Sequence, residues 1–561
     1  MAEEKEETKE INNSSEFYSP IPQGYEIGKT KYVIITGSVI SGIGKGTVSS
    51  TLSKNLQDRG LNVEPMKLEA YLNVDSGTLN PFRHGEVFVL DDGTETDLDL
   101  GTYERMLDKN LGKDNFITSG RIYKQIIEKE RKGDYLGKDV QFIPHVTGEI
   151  KLEVRKLAQK TNADIILIEI GGTVGDYENQ FAIEALRELQ YEEGKESVCF
   201  INVTYILEPS SLGEQKSKAA QFGIKSLMQM GIQPDIIICR SKSPLKQSIK
   251  DKISLFANIP LKRVFGAHNV KNIYSLPIYF RNMGVDDEIC RILKLEEKFP
   301  KNTNEKLEKY ADYVTIPENS ENITIGIAGK YIGASDTYIS ILNALEHASF
   351  ATKKKISIKW IDTREINSLD SSVEETLGNL NGLIVPGGFG DKGIEGKIKC
   401  IKYCRENNIP FLGLCYGFQL ALIEFARNVC QLKNANTTEV DKNTPFPVID
   451  ILPEQKSILN LGASMRLGGK EVFIEANTKA ERVHNSNLIR RRFRHRYECN
   501  PDYIEKLERS GMLFSGSDGG NIMQILELPQ HKFFMATQFH PEFTSRPLNP
   551  DPLFLEFVKS C

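Results

Sequence analysis

The sequence IPFLGLCYGFQ, Ile409 to Gln419, reads as a buried strand running through Leu414 into Cys415 and then into a helix. A thiol at such a junction sits on a tight turn at the strand's carboxyl end. The dipole and free N–H groups of the following helix favour its thiolate. Gly413 and Gly417 leave room for the turn and for a substrate. Taken alone, a cysteine between strand and helix is more often a small core residue, so its partners decide. The segment QFHPEF offers an imidazole, His540, and a carboxylate, Glu542, to orient it. In an extended strand residues two apart share a face, so both are expected to address the thiol. An isolated His-x-Glu is usually a surface pair. PGGFG, Pro386 to Gly390, follows a strand and can present backbone N–H groups to an oxyanion. The three segments together point to nucleophilic catalysis by Cys415.

A second set of residues suits phosphate. The first strand ends in GSVISGIGKGT, a Gly-rich turn followed by Lys45 and a helix. Backbone N–H groups, a helix N-terminus and a lysine make a phosphate cradle. It is not a strict Walker A sequence, because Gly46 separates Lys45 from Thr47. Asp97 and Asp99 in ETDLDLG alternate on what reads as an extended segment, and Glu169 ends the apolar run DIILIE before two glycines. Open α/β sheets bind ligands at strand ends of this kind. Without the cradle these acids would read as solvated strand ends.

The elements that must position these groups follow from the hydrophobic pattern. From Tyr32 onward, short β-branched runs (YVIITGS, LNVEPMKL, ADIILIEIGG, SVCFINVTYIL, PDIIICRS) alternate with amphipathic stretches. That implies an α/β fold, a parallel sheet with helices on both faces. The alternation stops over about 295–322, which is charged and Asn-rich, and restarts with ITIGIAGKY, KISIKWID, NGLIVPGGFG and IPFLGLCYG. We therefore expect two α/β domains: a P-loop-like domain over 31–297 and a second domain over 323–561. Between them, 298–322 is a linker with some helix. Residues 1–30 are polar, acidic at first, and expected to be disordered.

The 561 residues exceed one ordinary core. A net charge of -5 argues against a general nucleic-acid binder. No apolar run reaches the roughly 18 residues a membrane span needs. The start, MAEEKEETKE, has neither the basic flank nor the apolar stretch of a secretory signal. Nine cysteines without CxxC spacing favour free thiols and a reducing compartment, so a cytoplasmic protein is expected.

The segments around Cys415, His540 and Glu542 resemble class I glutamine amidotransferases, whose Cys-His-Glu triad hydrolyses glutamine through a thioester. The resemblance implies Cys415 as nucleophile, His540 as base and Glu542 as its orienting acid. Implied glutamine contacts are Gly388, Tyr416, Gly417, Phe418, Gln419, Glu439 and Arg496, with Glu439 suiting the α-ammonium and Arg496 the α-carboxylate. Tyr416 and Phe418 stand where that family usually has Leu and Met. The series SGIGKG, LNVDSGT, HGEVFVLDDG, TDLDLG, KERKGDYLG, EIGGTVGD and QKSKAAQ resembles the synthetase domain of CTP synthases, in family order and from about Lys31 to Pro300. In that family ATP phosphorylates the 4-oxygen of UTP and ammonia displaces the phosphate.

Carried over by position, the resemblance assigns Gly42, Ile43, Gly44, Lys45, Gly46, Thr47 and Lys67 to ATP, with Asp99 and Glu169 holding Mg2+. Arg240, His268, Asn269 and Val270 fall near the adenine. Ser41, Lys216, Ser217, Lys218, Ala219, Ala220, Gln221 and Lys252 fall to UTP. Asp176, Tyr177 and Glu178 fall to CTP, and His84 to an ammonia passage. It further implies GTP as an allosteric activator, CTP as feedback inhibitor, and a homotetramer, leaving open whether the tetramers stack into filaments. Three departures stand out: Glu69-Ala70 where the family has Asp-Pro, Ala219-Ala220 where it has Pro-Thr, and Asn269 where it has Asp. The second puts UTP handling in question, since Ala220 lacks a hydroxyl. The alternatives are another ATP-dependent amidotransferase, of the cobyrinic acid amidase kind, and a nucleotide-binding regulatory or filament-forming paralogue.

Overall fold

Strand Lys31–Gly37 alternates between two apolar layers, and this explains the first sheet. Val33 and Ile35 pack with Val48, Leu52 and Leu56 of helix Lys45–Asp58 and with Phe280 and Ile289 beyond it. Tyr32 and Ile34 face the other way, onto Ile150, Val154 and Leu157 of helix Thr147–Thr161 and Ile183 and Leu186 of Gln180–Glu193. A strand buried on both faces must read as a continuous apolar run. The computed structural model describes residues 8–10, 18–211, 213–295, 304–330, 335–367, 371–451 and 465–561.

The seven strands of this sheet are, in order, Val264–His268, Ile236–Ser241, Val198–Tyr205, Lys31–Gly37, Ile165–Ile170, Val63–Glu69 and Phe116–Thr118. All pairings are parallel, as expected. The second sheet has nine strands. Lys355–Asp362, Asn322–Gly329, Gly382–Val385, Phe411–Leu414 and Phe534–Thr537 run parallel. Met523–Glu527, Leu513–Ser517, Arg466–Ile474 and Leu488–His495 continue it antiparallel. The parallel part is the one read from the sequence; the antiparallel extension is new.

The contacts divide the chain into two units, 1–78 with 102–312 and 79–101 with 313–561. Residues 79–101, which the sequence places inside the 31–297 domain, thus pack with the second unit. Asp91 holds Arg490 at 2.9 Å, Glu95 holds Arg494 at 2.7 Å, and Arg492 donates to the Val89 carbonyl at 3.1 Å. Gly468 is required here: a Cβ on it would fall 2.5 Å from the Gly93 nitrogen. Long-range docking of this kind leaves no local signal.

The expected disorder of 1–30 is corrected at Thr8–Glu10, a strand antiparallel to Pro20–Pro22, and from Tyr18 onward, while 1–7 and 11–17 lie outside the described residues. Tyr18 stacks on His145 with centroids 5.1 Å apart and meets Tyr135 edge-on. Ser19 donates to Glu192 at 2.7 Å and Tyr25 to Glu193 at 3.0 Å. Both glutamates also hold the fully buried Arg155. A few aromatic and acid-pairing anchors order the segment, and average composition hides them. In the expected linker, 298–303 lie outside the described residues. Helix Asn304–Tyr313 then buries Leu307 and Tyr310, with the Lys54 ammonium 5.8 Å from the Tyr310 ring centroid.

Candidate functional site

In the second unit, Cys415 ends strand Phe411–Leu414 and caps helix Tyr416–Asn428 with φ 51° and ψ -92°. A non-glycine residue at positive φ is strained, and such strain concentrates at functional sites. Gly417 makes the turn possible: a Cβ there would lie 2.2 Å from the Val385 carbonyl oxygen. Its vacancy is filled by the neighbouring strand and not, as the sequence suggested, left for substrate. The thiol points at the Arg494 carbonyl, 3.8 Å away, and receives the Gln538 amide at 3.6 Å. Gln538 is in turn held by Gln419 at 3.2 Å.

His540 and Glu542 do not lie on a strand. The strand stops at Thr537, and Pro541–Phe543 forms a 3-10 turn capped by His540. Proline at the first position of that turn has no N–H to lose. The turn folds the Glu542 carboxylate back onto His540 Nδ1 at 2.7 Å, and Phe543 stacks on the imidazole at 4.9 Å. Glu542 therefore addresses the imidazole rather than the thiol. Burial alone would depress the His540 pKa, but the Glu542 carboxylate and the Cys415 sulfur outweigh it and raise it to about 10. His540 Nε2, the nitrogen not used by Glu542, is buried and is left to the Cys415 sulfur.

The turn 387–390 closes over this pair. A Cβ on Gly387 would lie 3.0 Å from His540 Cε1 and 3.7 Å from Cys415 Cβ. Gly390 donates its N–H to Glu439 at 3.0 Å and its carbonyl accepts from Tyr416 Oη at 2.9 Å. Burial, then the Glu439 charge, push the Tyr497 phenol up, while Arg496 opposes them. Phe418 is fully buried in the apolar core.

In the first unit, the Gly-rich turn is built on positive φ at Val39, Gly42 and Gly44. Lys45 opens the helix, folds over Gly37 and donates to the Gly172 carbonyl at 2.7 Å. Adjacent parallel strands put Lys67 opposite Glu169, and their charges meet at 2.6 Å. Glu169 is 1% exposed and also accepts from Tyr103. Glu69, the replacement for Asp, lies 3.3 Å from Lys67. Arg240 donates to the Ile43 carbonyl at 3.2 Å, to the Ala267 carbonyl at 2.8 Å and to Asn269 Oδ1 at 3.2 Å. It thereby ties the turn to the strand end that carries His268, where Tyr279 reaches Nδ1 at 3.1 Å. Asn269 keeps an acceptor where the family's Asp would add a charge. Val270 packs against the core beside it.

Asp176 caps the Thr173 N–H at 2.7 Å and precedes the short turn Tyr177–Asn179, where Tyr177 is 84% exposed. Glu178 lines a cleft with Glu69, Thr118, Tyr123 and Phe181. Ser41, Lys216, Lys218 and Lys252 are exposed, Lys218 lying 4.9 Å over Phe222. Ser217 accepts from Gln221 at 3.2 Å.

Two expectations change here. Asp99 lies in the first turn of helix Leu98–Leu107, not on an extended segment; Asp97 accepts its N–H at 3.1 Å. Ala220 is fully buried in an apolar cluster with Ile206, Ile224 and Ile237, inside helix Lys218–Gln229, so its side chain meets core and not solvent. His84 ends the short exposed helix Pro81–His84 of the second unit. The sequence reading missed Tyr103, Gln538 and Asn179. Asn179 braces the 171–173 loop through its carbonyls at 3.2 and 3.0 Å. Only Gln538 carried a signal, two residues before His540.

Among the described residues no cluster of three or more His, Cys, Asp or Glu is placed to hold a metal, and no helix is long and apolar enough to cross a membrane.

Residues 31–295 match the family described as CTP synthase N-terminus, and 334–560 match glutamine amidotransferase class-I. The CTP synthase of Thermococcus gammatolerans is 48% identical over 95% of this chain and 98% of its own. That of Bacillus subtilis is 46% identical over 94% and 98%. Among solved structures, the glutaminase domain of Trypanosoma brucei CTPS with bound acivicin is 35% identical, covering 42% of this chain and 93% of that one, with a TM-score of 0.41. With both halves matched in order and relatives this similar along nearly the whole length, the chain belongs to the CTP synthase family.

Proposed function

We propose that the chain catalyses the ATP-dependent amination of UTP to CTP with ammonia taken from glutamine. The family assignment carries the overall reaction. The observation that most supports a working glutaminase is the buried Cys415–His540–Glu542 arrangement under the 387–390 turn. In it His540, its pKa raised to about 10, already holds the proton drawn from the thiol, Cys415 Sγ attacks the glutamine amide carbon as thiolate, and the backbone turn receives the oxyanion. The proton returns with the departing ammonia, and water then hydrolyses the thioester. Gly388, Gln419, Glu439 and Arg496, with the backbone of Tyr416, are proposed to hold the glutamine.

In the synthetase unit, Lys45 and Lys67 are proposed to offset phosphate charge, with Arg240, His268 and Asn269 at the adenine. Ser41, Lys216, Lys218 and Lys252 would hold UTP, and Asp176 to Glu178 the product. Magnesium fits the donor set: it binds carboxylate oxygens alongside substrate phosphates. Glu169 lies at the carboxyl end of the buried strand Ile165–Ile170, three residues before Gly172, whose carbonyl Lys45 contacts, so a carboxylate stands beside the lysine of the Gly-rich turn. Glu169 would hold it, with Asp99 as the second acid implied by the resemblance, and it would neutralise charge at phosphoryl transfer. Activation by GTP, feedback inhibition by CTP, a homotetramer with possible filaments, a cytoplasmic location and ammonia transfer past His84 complete the proposal.

The test is CTP formation followed by absorbance with UTP, ATP and magnesium, supplied with glutamine or with ammonium. CTP from both donors is the expected result; none from either overturns the reading.

A further inference from the structure

Tyr416 touches both halves of the glutaminase site. Its backbone opens the helix directly after Cys415, so its N–H is among those a helix leaves unpaired beside the thiol. Its side chain is 2% exposed and passes beneath the facing turn: a Cβ on Gly388 would meet Tyr416 Cδ1 at 3.9 Å, and Oη donates to the Gly390 carbonyl at 2.9 Å. Two other groups grip the same turn. Glu439 accepts the Gly390 N–H at 3.0 Å, and Lys330 donates to the Phe389 carbonyl at 2.5 Å while lying 4.5 Å over its ring.

The turn needs such pinning. Gly387 and Gly388 carry no side chain to anchor them, and Gly390 sits at φ 78°, where glycine is free to move. Backbone donors stabilise an oxyanion only when they are held in place before charge develops. The Lys397 ammonium lies over the Tyr416 ring, 5.2 Å from its centroid, and adds a cation–π contact. Burial, with Glu439 and Asp391, pushes the phenol far above its ordinary pKa, so it remains a donor throughout the working range.

We propose that Tyr416 is a positioning residue for the oxyanion turn, a single rigid side chain that sets the separation between the Cys415 nucleophile and the backbone donors of 387–389. The proposal rests on the glutaminase reading above. An aliphatic residue at 416 would keep the apolar wall but leave the Gly390 carbonyl unpinned.

The experiment measures steady-state glutamine hydrolysis by the full chain as wild type, Tyr416→Phe, Tyr416→Leu and Cys415→Ala, with thermal melts of each. Removal of one neutral hydrogen bond that acts on the turn lowers kcat about three- to tenfold in Tyr416→Phe, with KM for glutamine within about twofold. Tyr416→Leu, which also loses the ring, falls further and serves alone if the Phe variant melts early. Wild-type kcat in the folded variant, or a loss confined to KM, overturns the positioning role and leaves the glutaminase reading standing. Hydrolysis that is absent in the wild type, or that survives Cys415→Ala, overturns the glutaminase reading and this proposal with it.

Discussion

His540 Nδ1 and the Glu542 carboxylate meet at 2.7 Å across a 3-10 turn, inside the protein and facing the Cys415 sulfur. Replacing Glu542 by Gln removes the charge and keeps the shape. The imidazole then loses its orienting anion, and glutamine hydrolysis falls by on the order of 10²–10⁴-fold, as when the acid of a catalytic triad is neutralised. Steady-state hydrolysis at fixed pH measures this; a loss under threefold would remove Glu542 from the catalytic set.

The same pair makes stability depend on pH. The folded His540 pKa, about 10, lies above its ordinary value of 6.5, so between these limits the folded chain binds the extra proton. The stabilisation is fully present below about pH 6.5 and is lost as pH rises through about 10. Urea unfolding of wild type and Glu542→Gln from pH 6 to 10 checks this: their difference shrinks as pH rises. A difference that grows would contradict the sign.

Cys415→Ala abolishes glutamine-dependent synthesis and leaves ammonia-dependent synthesis largely intact, because the thiol and the phosphate cradle lie in different units. Equal loss with both donors would sink the assignment of separate chemistries.

Lys45→Ala and Glu169→Gln abolish synthesis with either donor. Glu169→Gln also leaves Lys67 buried with one charge partner fewer, which costs about 3–5 kcal/mol if Glu69 gives no relief. The assay is therefore read beside a melting curve, and near-normal ammonia-dependent turnover in a folded variant rules the roles out.

At 219–220 the structure separates two changes that the resemblance joins. Ala219→Pro falls in the first turn of helix Lys218–Gln229, where a missing N–H costs little, so stability is unchanged or slightly raised. Ala220→Thr puts a hydroxyl into an apolar cluster and costs about 1–3 kcal/mol unless a backbone carbonyl accepts it. Melting temperatures and the UTP dependence of both single variants decide. A stable Ala220→Thr with a lowered UTP requirement would show that the hydroxyl does reach the nucleotide.

What the sequence made legible was local. Val33, Ile35 and their neighbours spell a doubly buried strand, and Cys415 announces its turn through Gly413 and Gly417. The Lys67–Glu169 pair was not legible, because strand register, not spacing, creates it. Nor was the HPE turn, since His-x-Glu fits a strand as well as a 3-10 turn until Pro541 is weighed. Tyr18 and Tyr25 were lost in an acidic average. Residues 79–101 betrayed nothing, because their partners, Arg490 and Arg494, lie roughly 400 positions away.

That last arrangement bears on how the chain is made. Phe88 meets Phe543 edge-on at 5.0 Å, and Phe543 lies flat against His540. A ribosome releases Phe88 several hundred residues before its partner, so the second unit cannot complete its core until synthesis is nearly finished. Cleavage near residue 312 would yield a C-terminal fragment stripped of Phe88, Asp91 and Glu95, with Arg490 and Arg494 bereft of their acids. Such a fragment is a truncated unit rather than a liberated one, and the His540 imidazole is among the groups that lose their backing.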